Sequence, residues 1–254
     1  MKKTIVAANW KMNLLRAEAV QLASDLVNGA DALGVYDRVD LIIAPTFTSL
    51  DAVNVVIGNT KAELCAQNVF WMESGAYTGE ISPSMLIDTG CKWVIIGHSE
   101  RRHIMHETDT MINMKVRLSI EKGLKVILCV GETRDQKEMG KTIEVINNQL
   151  LKALDGVNTD VIDKLVIAYE PVWAIGTGLN AKPEDAENVH KKIKDIIRSL
   201  LNCNDEKIRV MYGGSVNTGN IKSLVSQSNI DGVLVGGASL DTEAFIQIIK
   251  ISGD

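Results

Sequence analysis

Eight short apolar runs recur along the chain, and each is followed by a turn and then by a longer amphipathic segment. Several runs are continuously apolar and do not alternate with polar residues, such as Leu-Ile-Ile at 41–43 and Val-Ile-Leu at 126–128. A strand that is buried on both faces has this composition, which is typical of a parallel sheet. We therefore predict eight parallel strands at residues 4–8, 39–44, 63–66, 93–96, 124–130, 165–168, 208–212 and 232–235.

The segments between these runs carry helical patterns. Residues 18–27 and 141–154 place apolar side chains at helical spacing. Pro183 and the acidic residues after it open a helix that runs to Leu201, with lysines and an arginine later in the segment. This order of charges suits the helix dipole. Residues 242–249 form the last predicted helix.

The strand-then-helix units follow one another without a linker, a low-complexity tract or a change of composition, so we predict one domain over residues 1–254. Eight units is also the number that closes a parallel barrel. The predicted fold is therefore of the α/β class, a single-domain (β/α)8 barrel with an outer ring of helices. An open doubly wound sheet is the alternative, although no GxGxxG follows the first strand, which weakens its dinucleotide-binding version.

Charge and cysteine content limit the classes of function. The net charge of −5 disfavours general binding to nucleic acid or to anionic membranes, so an anionic substrate would have to be met by a few local groups. The four cysteines form no CxxC pair and no metal-ligand cluster with the four histidines, and we interpret them as buried free thiols of a reducing compartment. The first apolar run is too short for a signal peptide, and we expect a cytoplasmic protein.

A carboxylate followed by an unusual loop ends the sixth run. Pro171 stops the strand just after Glu170, because proline donates no N–H and restricts the residue before it. A bulky apolar pair, Trp173 and Ile175, and two glycines around Thr177 come next. In a reaction that needs a base and the exclusion of water, such a carboxylate could supply the base and a segment that folds over it could exclude the water. The competing interpretation is a solvent-exposed glutamate before an ordinary loop.

Polar residues at the ends of two other runs would face the same barrel mouth. Lys11, after the first run, supplies a cation, and Asn9 could orient a substrate oxygen. His98 follows the fourth run at the start of a helical turn, where the helix N-terminus favours a neutral hydrogen-bond donor. A surface lysine and a helix-capping segment, in which Ser99 caps and the histidine is incidental, are the alternatives.

Paired glycines follow the seventh and eighth runs, at 213–214 and 236–237. Such pairs let backbone N–H groups approach an anion, and phosphate binding after these two strands recurs in barrels. Base, neutral donor, cation and phosphate site together suit proton abstraction beside a carbonyl in a small phosphorylated substrate. The residues predict a phosphosugar isomerase or a mechanistic relative, with no metal or cofactor. A phosphate-binding lyase or epimerase and a catalytically silent phosphosugar-binding protein remain the alternatives.

Six motifs, in order along the whole chain, resemble the triosephosphate isomerase family. They are NWKMN at 9–13, GAYTGEIS at 75–82, GHSERR at 97–102, AYEPVWAIGTG at 168–178, YGGSV at 212–216 and DGVLVGGASL at 231–240. The resemblance implies interconversion of dihydroxyacetone phosphate and glyceraldehyde 3-phosphate, a step of glycolysis and gluconeogenesis, through an enediolate. Glu170 would carry the proton between the two carbons, and His98 would polarise the carbonyl. Asn9 and Lys11 would support the developing negative charge.

The resemblance also implies how the substrate is held and enclosed. Ile175 and Leu234 would close over Glu170 and desolvate it, which would raise its basicity. Backbone N–H groups would hold the phosphate at Gly176, Ser215, Gly236 and Gly237. The lid would consist of Pro171, Val172, Trp173, Ala174, Ile175, Thr177 and Gly178.

Supporting roles and one departure follow from the same resemblance. Ser99 would hold Glu170 in the open state, and Glu132 would be a resting partner of Trp173. After Gly178 the family usually has lysine, whereas this chain has Leu179. That position is the far hinge of the lid, so we expect altered lid opening with unaltered chemistry.

A loop of the third unit would join two subunits. The resemblance implies that it inserts into a partner in a homodimer, with Thr78 near the neighbouring active site. Without the resemblance, a Gly-Ala-Tyr-Thr-Gly stretch would be interpreted as merely exposed. The residues of this loop are Gly75, Ala76, Tyr77, Thr78, Gly79 and Glu80.

Overall fold

The computed structural model describes residues 2–176, 181–203 and 207–254. In these residues eight strands, all parallel, close into a barrel in chain order, and β8 pairs with β1. The closed barrel confirms the predicted fold and rules out the open sheet. The strands are β1 (Thr4–Asn9), β2 (Val39–Ala44), β3 (Glu63–Ala66), β4 (Trp93–Ile96), β5 (Lys125–Val130), β6 (Leu165–Tyr169), β7 (Arg209–Tyr212) and β8 (Gly232–Val235).

Ten α-helices in the described residues surround the strands or lie at their ends. The helix predicted at 18–27 is the middle of α1, whose Leu15 N–H donates to Glu18 at 2.7 Å and whose end lies at Gly34, in the left-handed region at φ +59°. The helices are α1 (Arg16–Leu33), α2 (Leu50–Ile57), α3 (Pro83–Asp88), α4 (Ser99–His103), α5 (Asp109–Lys122), α6 (Arg134–Glu138), α7 (Thr142–Ala153), α8 (Pro183–Leu201), α9 (Ile221–Val225) and α10 (Thr242–Gly253).

The core has two layers, which explains the continuously apolar runs. On β1, Ile5 and Ala7 belong to the cluster that fills the barrel, whereas Val6 and Ala8 belong to the larger cluster between the strands and the helices. Both faces of each strand are therefore buried. The inner cluster also contains Cys129, directly before the mouth of the barrel.

Cys65, Cys91 and Cys129 are buried free thiols. Burial raises the pKa of the Cys91 thiol to about 11 and raises the pKa of Cys65 and of Cys129 as well. A buried thiol with a raised pKa holds little thiolate, so these side chains act as packing groups. Among the helices of the described residues, none combines the length and the apolar character needed to span a bilayer.

Candidate active site

A cavity of about 210 Å³ lies at the carboxyl ends of the strands. Loops after β1, β4, β6, β7 and β8 form its wall. Because the carboxyl ends of parallel strands meet at one face of a barrel, residues that are far apart in the sequence come together there. The cavity brings together the residues predicted to be catalytic or to bind the substrate, namely Asn9, Lys11, His98, Glu170, Gly176, Ser215, Gly236 and Gly237.

Glu170 is fixed directly after β6 and is only 2% exposed. Its N–H donates to the Val130 carbonyl at 2.8 Å, and its Oε2 accepts from the Ser99 N–H at 2.8 Å. Gly213 gives the carboxylate its space, because a Cβ at that position would lie 2.9 Å from Glu170 Cγ. The solvent-exposed alternative for this glutamate is therefore wrong.

His98 precedes α4 and caps it. Its Nδ1 accepts from the Glu100 N–H at 3.2 Å, so in the neutral ring the proton is carried by Nε2. That Nε2 lies 3.0 Å from Glu170 Oε1. Oε1 has no hydrogen-bond partner among the described residues. The imidazole and the carboxylate thus lie side by side in the wall of the cavity.

Lys11 adopts a backbone conformation that is rare for a residue with a side chain, at φ +53°. Asn9 Oδ1 accepts from the Lys11 N–H at 3.0 Å, and Gln67 Nε2 donates to the Lys11 carbonyl at 2.9 Å. Such strain costs about 1 kcal/mol or more and persists only where the surroundings enforce it. The Lys11 ammonium consequently points into the cavity, where it lies 2.6 Å from Glu100 Oε1.

Two residues of the site were not predicted from the sequence. Glu100 lies inside a quoted motif, but its pairing with Lys11 joins the loop after β1 to the first turn of α4, 89 residues away. An acidic residue in the first turn of a helix is also explained by its favourable interaction with the helix dipole alone. Gln67 follows β3 directly and bonds the carbonyls of Lys11 and Ala44, each at 2.9 Å. A single polar residue at a strand end was the only signal for it.

The segment after Glu170 forms one 3-10 turn, Val172–Ala174. Its backbone is tied to the loop after β5, since the Val172 N–H donates to the Glu132 carbonyl at 3.1 Å. The Glu132 carboxylate accepts from Trp173 Nε1 at 2.9 Å and from the Tyr169 hydroxyl at 3.2 Å. The contact of Trp173 with Glu132 that the family resemblance implies is present in the structure. The predicted lid residues Thr177 and Gly178 and the hinge residue Leu179 lie outside the described residues.

The two glycine pairs line the same cavity as Ile175 and Gly176. Gly236 comes close to the lysine, because a Cβ there would lie 3.3 Å from Lys11 Cε. Among the described residues no backbone carbonyl accepts a hydrogen bond from the Ser215 N–H. Gly176 stands at φ +68°, a conformation that favours glycine. Within the same described part of the chain, no group of three or more histidine, cysteine, aspartate or glutamate side chains is arranged to hold a metal ion.

A buried charge cluster that the sequence did not predict lies behind the loop at 75–80. Lys115 of α5 has a side chain only 2% exposed, and its ammonium contacts the Glu107 carboxylate and, at 2.8 Å, Asn68 Oδ1. Burial lowers the pKa of Lys115, and the Glu107 carboxylate opposes that effect. A lysine in a helix normally indicates a solvated face, which is why this one was missed.

The family model for triosephosphate isomerase matches residues 4–252. The triosephosphate isomerase of Dictyoglomus turgidum is 48% identical over 251 residues, which cover 98% of this chain and all of that protein. The triosephosphate isomerase of Thermoanaerobacter pseudethanolicus is 48% identical over 252 residues, and that of Borreliella burgdorferi is 47% identical over the same number. Fold, site and full-length similarity agree: the chain belongs to the triosephosphate isomerase family, a family of isomerases.

Proposed function

We propose that this chain interconverts dihydroxyacetone phosphate and D-glyceraldehyde 3-phosphate by proton transfer through an enediolate. The observation that carries the proposal is the buried Glu170 carboxylate facing His98 Nε2 at 3.0 Å, beside the Lys11 ammonium in one cavity. A base, a neutral donor and a cation around a space for a small substrate are what this reaction requires.

In this proposal Glu170 accepts a proton from one carbon of the substrate and returns it to the neighbouring carbon. His98 donates from Nε2 to the carbonyl oxygen, which becomes negative in the enediolate. Lys11 and Asn9 stabilise the same charge. In the resting state Glu170 Oε2 is bonded to the Ser99 N–H, so the carboxylate turns away from this contact to reach the substrate.

The substrate phosphate is held by backbone N–H groups of Gly176, Ser215, Gly236 and Gly237. These positions lie together in the cavity wall, and the glycines leave the backbone accessible to an anion. The lid consists of Pro171–Ile175 with Thr177 and Gly178, and it closes with Leu234 over Glu170. Exclusion of water by this closure strengthens the electrostatic interactions of the reaction.

A coupled triose-phosphate assay on the purified protein tests the proposal. We expect turnover without added metal or nucleotide, undiminished by a chelator. Glu170→Gln should lower kcat by about 10²–10⁴-fold, the usual contribution of a positioned acid–base group. Glu138→Gln, at an exposed position of α6, is the matched control and should retain full activity.

Two results would contradict the assignment. A loss of only a few-fold in Glu170→Gln would remove Glu170 as the base. Binding of triose phosphate by the wild-type protein without turnover would support a catalytically silent phosphosugar-binding protein instead.

The same proposal includes a homodimer joined by the loop at 75–80. Large apolar side chains are exposed on loops at the same end of the barrel, including Met12 at 93%, Ile104 at 63% and Tyr77 at 42%. Large apolar side chains that are exposed on neighbouring loops of a barrel fit a surface that another protein covers. We also propose that residues 1–254 form one domain, since the eight strands form one barrel and α10 packs against β1 and β2. We propose as well that the protein acts in the cytoplasm.

A further inference from the structure

Lys137 lies against the aromatic face of Trp173. Its ammonium is 3.1 Å from the centroid of the indole ring. The lysine belongs to α6, a helix of five residues whose start is fixed by reciprocal bonds between Thr133 and Gln136. This capping box holds the helix in place, so the ammonium is presented to the ring from a defined position.

The segment that follows β5 therefore contacts the indole ring at two different places. Its Nε1 donates to the Glu132 carboxylate at 2.9 Å, in the plane of the ring, whereas Lys137 contacts the face. The Glu132 carboxylate is itself held by the Tyr169 hydroxyl at 3.2 Å. An anion at the N–H edge and a cation over the π face are the two arrangements that complement the charge distribution of an indole.

The ring of Trp173 packs against the core between the strands and the helices but is not enclosed by it. Trp173 is only partly buried, and it forms part of the wall of a second cavity of about 610 Å³ between α7 and α8. Ile143 and Val189 line the same cavity. Because the ring borders open space, directional contacts contribute more to its position than they would in a close-packed core.

From this geometry we propose that Lys137 is a positioning residue that stabilises the resting position of the lid through Trp173. The inference rests on the proposed function, in which the segment after Glu170 closes over the substrate. A contact made only in the resting position lowers the population of the closed form, and with it the apparent affinity for ligands that need closure.

The test uses the full-length protein labelled with 5-fluorotryptophan, with the Trp173 signal assigned from Trp173→Phe. Fluorine NMR measures the lid equilibrium, and inorganic phosphate is the ligand whose Kd is titrated. Lys137→Met removes the charge and keeps the length of the side chain. We expect the closed population to rise two- to fivefold, as for the loss of an exposed cation–π contact. The Kd for phosphate and the KM for triose phosphate should fall by the same factor, without a rise in kcat.

Two further variants separate positioning from a general effect of charge or stability. Lys137→Arg keeps a cation over the ring and should restore wild-type values. Arg134→Met removes an exposed cation from the same short helix and should leave all three quantities unchanged. The proposal is overturned if Lys137→Met changes neither the fluorine signal nor the phosphate Kd. A lower Tm of this variant without those two changes would indicate a role in stability only. Equal effects of Arg134→Met would overturn it as well.

The outcomes also distinguish this inference from the proposed function. If turnover depends on Glu170 and Lys137→Met behaves as wild type, only the role of Lys137 is wrong. If the wild-type protein binds phosphate with a shift of the Trp173 signal but does not turn over triose phosphates, the proposed function is wrong and the effect of Lys137 on the equilibrium is still measured.

Discussion

His190 of α8 is a fully buried histidine between two tyrosine rings, those of Tyr169 at 5.8 Å and Tyr212 at 6.4 Å. Burial is the main reason why its pKa is lowered to about 3. The imidazole therefore stays neutral in the folded protein at any pH at which the enzyme would work. Its contribution to pH dependence comes from the unfolded chain, in which a histidine has its ordinary pKa of about 6.5.

This histidine makes stability depend on pH in the acid range. As pH falls below about 6.5, the unfolded chain takes up a proton and the folded protein does not, so the free energy of unfolding decreases. Between pH 7.5 and pH 5 the expected loss from this one group is about 2 kcal/mol. Denaturant titrations of His190→Gln over this range should show a shallower pH slope than wild type, whatever its absolute stability. If the pH slope of His190→Gln equals that of the wild type, His190 takes up a proton in the folded protein as it does in the unfolded chain.

The loops at the carboxyl ends of β6 and β7 act as one unit around the base. The Gly213 N–H donates to the Tyr169 carbonyl at 2.7 Å, which seats the loop after β7 against Glu170. The sequence predicts only a phosphate-binding role for the glycines at 213–214, whereas this contact gives Gly213 a structural role beside Glu170. The ends of strands can be predicted from the apolar runs. Contacts between the loops of two strands cannot, because they depend on the register of the strands in the barrel.

Gly213→Ala tests this packing. The added methyl group would displace the Glu170 carboxylate, and a small misplacement of a base costs about 10²-fold in rate. We expect a fall in kcat/KM of about that size with retained phosphate binding, as measured by the coupled assay and by phosphate titration. Gly219→Ala, whose Cβ would lie 3.2 Å from the side-chain oxygen of Asn217, should keep wild-type activity. Equal activities of the two variants would show that the carboxylate adapts without loss.

Several short helices and contacts between distant segments were not predicted from the sequence. The eight strands were predicted because runs buried on both faces stand out, and their ends located Glu170 and His98. Helices of five residues, such as α4 and α6, are too short to show a period. Pairs such as Lys11 with Glu100, and Lys137 with Trp173, join segments that follow different strands, and no local pattern encodes them.

At the scale of the whole molecule, the proposed dimer makes a prediction about assembly. Tyr77→Glu places a charge in the 75–80 loop and should convert a dimer into a monomer at micromolar concentration in sedimentation velocity experiments, because burying an unpaired charge is costly. Val55→Glu, at a side chain 77% exposed on α2, is the control and should remain dimeric. Circular dichroism verifies that the barrel is intact in both. A wild-type monomer, or a dimer that survives Tyr77→Glu, would remove this loop from the interface.

Closure of the barrel by the β1–β8 pair also bears on how the chain is made. A finished barrel has no edge strand, so it offers no template for strand addition by another molecule. β8 is the last strand of the barrel in chain order, so a growing polypeptide that stops before Gly232 lacks the strand that covers β1 and β7. Until β8 has been made and has paired, both of these edges are available for aggregation. The sheet is therefore protected only after its eighth strand has joined, and removal of β8 would expose both edges again.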